Sequence, residues 1–199
     1  MPHKIRKQNQ KVPGTGSFGT WHHLKEELLR LLKEKAVIRG ERTLASGKKS
    51  DFYIDGKQVT LDPYGIQVVG KVVLEMLQGL KVSAIGGPTL GADPIATAVS
   101  LLSSETANPL KAFMVRKEAK EHGMQKMIEG PSLRQKDQVV MVEDVITTGG
   151  SVLRAIEEVE KLGAKVVKVI CLVDRNEGAR EILSRYSYSP IFSLRDLGL

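Results

Sequence analysis

One segment, VVMVEDVITTGGS at residues 139–151, constrains the fold of this chain more than any other. Four consecutive apolar residues, Val139 to Val142, predict a buried β-strand. An amphipathic pattern that opens at Ser151 predicts a helix running to about Leu162. Two acids and a run of small residues separate the two. The segment therefore predicts a strand, a loop and a helix in that order, as in sheets built from alternating strands and helices.

The loop has the composition of a phosphate-binding site. Backbone N–H groups at a helix N-terminus lack partners within the helix and, together with the helix dipole, favour an anion. Gly149 and Gly150 would let the backbone approach a phosphate closely. Hydroxyl donors come from Thr147, Thr148 and Ser151. A Walker A loop is excluded, because this loop contains no lysine.

Glu143 and Asp144 stand ahead of this loop and would repel a bare triphosphate. They require a partner that offers hydrogen-bond donors or positive charge, such as sugar hydroxyls or a cation carried by the ligand. A ribose 5-phosphate satisfies both the acids and the loop. The alternative is an ordinary strand–helix connection with a polar turn, which paired acids followed by five small polar or glycine residues disfavour.

Strand-like and helix-like segments alternate along the rest of the chain. Predicted helices cover residues 21–38, 63–77 and 92–102, and predicted strands cover residues 42–45, 52–55, 82–85, 110–115 and 166–173. The run Gly86-Gly87-Pro88 is predicted to break the strand before it. The pattern predicts a single-domain α/β fold, a mostly parallel sheet flanked by helices, with ligands bound at the carboxyl ends of the strands.

Composition fits one domain and leaves the partner open. The chain has 199 residues, 41% of them hydrophobic, and a net charge of +7. Much of the excess charge lies in the first eleven residues, at Lys4, Arg6, Lys7 and Lys11. Charge alone therefore does not decide between nucleic acid and small phosphorylated ligands. The aromatic content of 5% disfavours stacking on single-stranded nucleic acid.

Residues 1–19 are predicted to be a disordered basic extension. Their Gly14-x-Gly16-x-x-Gly19 pattern does not follow a strand, so it is not a dinucleotide fingerprint. The only cysteine, Cys171, lies in an apolar run and is predicted to be a buried structural thiol in a reducing compartment. The sequence has no apolar stretch of membrane-span length and no signal-peptide pattern, which predicts a cytoplasmic protein.

A second charged segment, RKEAKEHG at residues 116–123, follows the strand predicted at 110–115. It opens a long connection with little periodicity, which favours a mobile lid over a simple connector. The side chains that would clamp a pyrophosphate are Arg116, Lys117, Lys120 and His122. The alternative is a charged, solvated loop.

The segment VVMVEDVITTGGS resembles the phosphoribosyl diphosphate (PRPP) motif of type I phosphoribosyltransferases. Three further segments resemble orotate phosphoribosyltransferases in particular: SGKKSDFYID at 46–55, RKEAKEHG at 116–123 and LVDRNE at 172–177. The resemblance runs from about Trp21 to the C-terminus. It implies a type I phosphoribosyltransferase domain over residues 20–199, with a small hood formed by elements near 20–60 and by the C-terminus.

The resemblance implies Mg²⁺-dependent transfer of ribose 5-phosphate from PRPP to N1 of orotate, which yields orotidine 5′-phosphate and pyrophosphate in pyrimidine (UMP) biosynthesis. The implied catalytic residues are Lys120, His122 and Asp144. The implied PRPP-binding residues are Arg116, Lys117, Lys120, His122, Glu143, Asp144, Val145, Ile146, Thr147, Thr148, Gly149, Gly150 and Ser151. The implied orotate-binding residues are Tyr53, Ile54, Thr147 and Arg175.

The resemblance also implies the partners. Mg²⁺ would be held mainly by PRPP oxygens rather than by protein ligands. A homodimer would share lid residues between its subunits, and no nucleic acid or membrane partner is implied. Two positions depart from some family members: Ala45 replaces a PRPP-contacting lysine, and Leu90-Gly91 replace Tyr-Lys in the pyrophosphate loop.

Two other functions remain open at this point. A phosphoribosyltransferase for another base would share residues 143–151 but should lack the pair Tyr53 and Arg175. A non-catalytic regulator that senses PRPP would have no use for the lid side chains Lys117, Lys120 and His122.

Overall fold

The computed structural model describes residues 20–43, 49–118 and 126–199. The strands are β1 (Val37–Thr43), β2 (Lys49–Ile54), β3 (Ala84–Pro88), β4 (Lys111–Val115), β5 (Ile128–Glu129), β6 (Gln138–Ile146), β7 (Lys165–Asp174) and β8 (Tyr188–Ser193). The helices are α1 (Trp21–Leu31), α2 (Lys57–Thr60), α3 (Pro63–Met76), α4 (Ala92–Ser103), α5 (Gly150–Lys161), α6 (Ala179–Ile182) and α7 (Leu194–Leu197). The extension predicted at residues 1–19 lies outside the described residues.

Six strands form the central sheet in the order β5-β4-β3-β6-β7-β8. All neighbours are parallel except β5, which runs antiparallel to β4. Parallel strands are buried on both faces and therefore read as continuous apolar runs, as β6 and β7 do. The predicted α/β fold with a mostly parallel sheet is confirmed.

Two apolar clusters cover the two faces of the sheet. On one face α1, α3 and α4 contribute buried side chains such as Leu28, Val69 and Ile95. On the other face α5 contributes Ile156 and Val159. Helices on both faces leave the carboxyl edge of the strands free to bind a ligand.

The helix predicted at residues 21–38 is too long. The α-helix ends at Leu31, one π-helical stretch continues it to Ala36, and Val37 begins β1. The β-branched residues Val37 and Ile38 pair instead with β2 in an antiparallel hairpin. This hairpin forms a separate two-stranded sheet, and the assignment of a hood domain remains a prediction.

The predicted break at Gly86-Gly87-Pro88 is wrong, because all three residues belong to β3 and are buried. A Cβ on Gly86 would lie 2.2 Å from the carbonyl oxygen of Phe113, and one on Gly87 would lie 2.2 Å from that of Val142. The glycines therefore let the neighbouring strands and helices pack closely, and they do not terminate the strand.

The two acids lie within strand β6. Strand β6 does not end at Val142 but continues to Ile146, paired with β7 as far as Ile146 and Asp174. Glu143 and Asp144 therefore belong to a strand rather than to a loop, which fixes their backbone firmly.

Replacing Gly87 by alanine should destabilise the fold by about 3 kcal/mol, because the new methyl group meets backbone that cannot rotate away. Urea denaturation of the purified variant measures the change. Gly150→Ala is the matched control for stability, since its Cβ would find no atom closer than 3.8 Å. Equal unfolding midpoints for Gly87→Ala and wild type would contradict the packing argument.

Candidate active site

A cleft of about 720 Å³ opens at the carboxyl edge of β3, β4 and β6. Its lining residues are Lys57, Pro88, Thr89, Leu90, Gly91, Val115, Arg116, Lys117, Met127, Glu143, Asp144, Val145, Ser151, Arg154, Ala155, Glu157 and Glu158. The cleft thus brings together the acids, the start of α5 and the beginning of the charged segment.

The acid pair occupies the end of β6. Asp144 is nearly buried, with 8% of its side chain exposed, and its Oδ1 accepts a hydrogen bond of 2.8 Å from the N–H of Val145. The other oxygen, Oδ2, lies 3.3 Å from the ammonium of Lys57. Glu143 is half-buried, and its Oε1 accepts from the N–H of Asp144 at 3.0 Å. Both carboxylates are therefore held in place before any ligand arrives.

Burial raises the pKa of Glu143 well above its ordinary value, and the adjacent charge of Asp144 raises that pKa further. The ammonium of Lys57 opposes the shift but does not cancel it. The free site therefore favours one charge on the acid pair over two, and a ligand that supplies donors would restore the second.

The raised pKa of Glu143 should make the stability of the free protein pH-dependent. Glu143 ionises near 4.5 when unfolded and only at higher pH when folded, so its contribution is fully present below about pH 4.5 and is lost as the pH rises through the folded pKa. We expect the wild type to lose stability relative to Glu143→Gln across this window by about 1.4 kcal/mol per pH unit. Urea titrations of both proteins at several pH values test this. The same pH dependence in both would contradict it.

The predicted phosphate turn connects β6 to α5. Gly149 has a φ of 87°, in the left-handed region that favours glycine, and it precedes the first residue of α5. Thr147 and Thr148 are exposed in the turn, and the helix N–H groups beyond them have no acceptor within the helix. Arg154 reaches back to this helix start and donates to Ser151 Oγ at 3.3 Å. The exposed N–H groups and hydroxyls of the turn fit an anion, and its role as a phosphate site stays a prediction.

The loop after β3 explains one of the sequence departures. A Cβ on Gly91 would lie 1.8 Å from Glu143 Oε1 and 2.4 Å from Asp144 Oδ1. Glycine at this position therefore lets the loop pass directly over the acid pair, and a lysine would displace both carboxylates. Leu90, at the other departing position, is 71% exposed.

The predicted orotate residues lie on β2, directly after β7, and in the turn between β6 and α5, where Thr147 is exposed. Arg175 directly follows β7 and is nearly buried, its Nε donates to Glu177 Oε1 at 3.0 Å, and its backbone N–H donates to the carbonyl of Ile146 at 2.9 Å. On β2, Tyr53 is exposed and Ile54 is buried in the core. The ring that faces Arg175 belongs to Phe52, with its centroid 5.7 Å from the guanidinium carbon.

The charged segment begins at the edge of the cleft. Arg116 and Lys117 line the cleft, and Arg116 NH1 lies 3.5 Å from Glu129 Oε1. The backbone N–H of Arg116 donates to the carbonyl of Met127 at 2.8 Å, so the described residues on either side of 119–125 are hydrogen-bonded to each other. Lys120 and His122 lie outside the described residues. Their predicted roles, like those of all the predicted site residues, remain predictions.

Three residues near the site were not predicted from the sequence: Lys57, Arg154 and Phe52. Lys57 lies just beyond the SGKKSDFYID segment. The sequence gives no sign of its role, because only the fold brings its ammonium to the acid pair Glu143 and Asp144. Arg154 lies three residues beyond Ser151, a spacing that places both side chains on one face of a helix. Phe52 is the neighbour of the predicted Tyr53, and nothing in the run Phe52-Tyr53-Ile54 distinguishes it before the fold is known.

Among residues 20–43, 49–118 and 126–199, no group of three or more histidine, cysteine, aspartate or glutamate side chains is arranged to bind a metal. In the same part of the chain, no helix has the length and apolar character needed to cross a bilayer.

Cys171 is buried as predicted, and burial raises the pKa of its thiol, so it is a poor nucleophile.

Comparison with known proteins agrees with this geometry. A family model described as phosphoribosyl transferase domain matches residues 67–191. The orotate phosphoribosyltransferase of Nostoc sp. is 42% identical over 192 residues, which cover 96% of this chain and 91% of the relative.

Solved structures give the same result. The crystal structure of Mycobacterium tuberculosis orotate phosphoribosyltransferase is 40% identical, with a TM-score of 0.78 over 88% of this chain and 99% of that one. The same enzyme in complex with 5-phospho-α-D-ribosyl 1-diphosphate has a TM-score of 0.74 at 36% identity, with the same coverage of both chains. Since the family model spans more than half of the sequence and the relatives match most of it, the chain belongs to the orotate phosphoribosyltransferase family.

Proposed function

We propose that this chain catalyses the Mg²⁺-dependent transfer of ribose 5-phosphate from PRPP to N1 of orotate, releasing pyrophosphate and forming orotidine 5′-phosphate. The observation that carries the proposal is the junction of β6 and β7. The Arg175 backbone N–H bonds to the carbonyl of Ile146, so the arginine predicted to bind orotate stands directly beside the phosphate turn. The structure of the Mycobacterium tuberculosis relative in complex with PRPP supports PRPP as the substrate proposed for this chain.

The sugar would lie between the acid pair and the turn. Glu143 and Asp144 would accept hydrogen bonds from the ribose hydroxyls, while residues 147–151 would bind the 5-phosphate through backbone N–H groups and hydroxyls. In the free site a second negative charge on the acid pair is disfavoured. Ribose hydroxyls are neutral and donate hydrogen bonds, so they would stabilise that second charge without adding a charge of their own. Arg175 would bind the orotate carboxylate, and the ring of Phe52 beside it would contribute to the wall of that pocket.

The reaction is a displacement at the anomeric carbon with inversion: the bond from N1 of orotate forms, the bond to the pyrophosphate oxygen breaks with its electron pair on pyrophosphate, and the N1 proton is released. The sugar gains positive charge in the transition state, which the carboxylates stabilise. Arg116 and Lys117, with Lys120 and His122, would bind the departing pyrophosphate. Bound Mg²⁺ would neutralise charge on the diphosphate. It would be held mainly by ligand oxygens, because Mg²⁺ bound to substrate phosphates needs few protein ligands.

We also propose that the protein is a homodimer in which the segment 116–123 of one subunit contributes to the site of the other. The support is the resemblance of the segment to the family's loop, which implies lid residues shared between two subunits. A closing lid would exclude water, which would otherwise hydrolyse PRPP.

Base selectivity separates this function from its alternatives. Pyrophosphate release from PRPP should be measured with orotate, uracil, adenine and hypoxanthine in turn. Release with orotate alone is the expected result. Release with a purine instead would indicate another base phosphoribosyltransferase, and binding of PRPP without release for any base would indicate a sensor.

A further inference from the structure

Lys57 joins the N-terminal part of the chain to the acid pair. It is the first residue of α2, directly after the β2 strand and its two-residue connection. Its ammonium nitrogen lies 3.1 Å from Asp55 Oδ1 and 3.3 Å from Asp144 Oδ2, and it lines the cleft. The second contact spans 87 positions in the sequence, so it exists only in the folded chain.

Asp55 does not require the ammonium as Asp144 does. Asp55 also accepts from the backbone N–H of Lys57 at 3.2 Å and from the side-chain amide of Gln58 at 3.0 Å. Asp144 Oδ1 accepts from the backbone N–H of Val145, and Oδ2 accepts from the ammonium of Lys57. The ammonium therefore determines where the second oxygen of Asp144 points.

The backbone beside Lys57 is fitted to the same carboxylate. A Cβ on Gly56 would lie 2.8 Å from Asp144 Cβ and 2.9 Å from Asp144 Oδ2. Gly56 thus allows the chain to approach until the lysine reaches the acid. This close approach makes the contact part of the packing rather than a chance pairing of surface charges.

The charge on Lys57 is also secure. Burial opposes it, but Asp144 and Asp55 outweigh the burial and raise the pKa of the ammonium group to about 12. The cleft lining carries four carboxylates, on Glu143, Asp144, Glu157 and Glu158, besides the cations Arg116, Lys117 and Arg154. A polyanionic ligand entering the cleft would meet repulsion that Lys57 reduces.

We propose that Lys57 is a positioning residue for the sugar-binding carboxylates: it orients Asp144 toward the bound pentose and offsets the charge of the acid pair. The inference rests on the proposed function, because it concerns the same ribose site. It assigns Lys57 to the ribose end of the ligand and not to the diphosphate.

The test compares Lys57→Met with Lys57→Arg and with a matched control. Lys35→Met removes a lysine whose side chain is also 38% exposed and whose ammonium pairs with Asp62 at 2.6 Å, but which does not line the cleft. Calorimetry with Mg²⁺ present should measure the binding of ribose 5-phosphate and of PRPP to each purified protein. Steady-state kinetics should give the KM for PRPP and the kcat with orotate.

Lys57→Met should weaken the binding of both ligands about tenfold and raise the KM for PRPP similarly, with kcat changed by less than about threefold. Lys57→Arg should recover most of the affinity, and Lys35→Met should match the wild type. An effect confined to PRPP would overturn the proposal, because Lys57 would then contact the diphosphate. Equal losses in Lys35→Met would overturn it too, since they would indicate general loosening of the N-terminal elements.

The role of Lys57 and the proposed reaction are refuted by different results. A wild-type protein that releases pyrophosphate with orotate, together with a Lys57→Met variant that binds both ligands normally, would refute the role of Lys57 alone. A wild-type protein that binds ribose 5-phosphate but releases no pyrophosphate with any base would refute the proposed reaction, and the ribose 5-phosphate comparison would still decide the role of Lys57.

Discussion

Replacing Asp144 by asparagine should lower kcat/KM about a thousandfold while leaving the protein folded. The carboxylate sits at the end of a paired strand, nearly buried and ion-paired with Lys57, so its charge acts on the sugar with little screening by water. Asparagine keeps the shape and can still accept from the N–H of Val145, but it removes the negative charge that the developing positive sugar requires. Initial rates of orotidine 5′-phosphate formation measure the loss.

Asp137→Asn is the matched control for this variant. Asp137 also accepts a backbone N–H, from Arg134 at 2.8 Å, and pairs with Lys111 at 3.2 Å, but it precedes β6 at the opposite edge of the sheet. It should therefore retain wild-type turnover. Near-normal activity in Asp144→Asn, or an equal loss in both variants, would remove the acid pair from the mechanism.

The sequence predicted the part of this site that is local. An apolar strand, two acids and a glycine-rich turn occur within thirteen residues, so the chain itself places the acids beside the N-terminus of α5. The alternation of strands and helices likewise predicted the sheet, because hydrophobic periodicity records burial directly. Both features are set by residues that are close together in the sequence, so the sequence alone reveals them.

The parts that were missed depend on contacts between distant segments. Gly86 and Gly87 carry no side chain, so no apolar pattern marks them as strand, and only the crowding by Phe113 and Val142 reveals why they are there. In the sequence Lys57 resembles any surface lysine, because Asp144 lies 87 positions away and contacts it only in the folded chain. The helix end at Ala36 was missed because Val37 and Ile38 fit a helical apolar face equally well, and pairing with β2 decided the outcome.

Lys120→Ala should lower kcat about a thousandfold with little change in stability. The reason is the charge of the leaving group, which grows as its bond to the sugar breaks and which the cations of the segment 116–123 would stabilise. The described residues that flank the segment are paired as strands, Met114 with Glu129 and Val115 with Ile128. Lys126→Ala, an exposed lysine outside the cleft lining, is the control and should keep normal turnover.

Mixing two inactive variants then tests whether the segment acts in its own subunit or in the neighbouring one. If it acts across a homodimer interface, a heterodimer of Lys120→Ala and Asp144→Asn contains one site with intact acids and an intact segment. Random exchange of subunits should then restore about a quarter of the wild-type activity, because half of the dimers would be mixed and each would have one complete site. No recovery after verified subunit exchange would mean that Lys120 serves the cleft of its own chain.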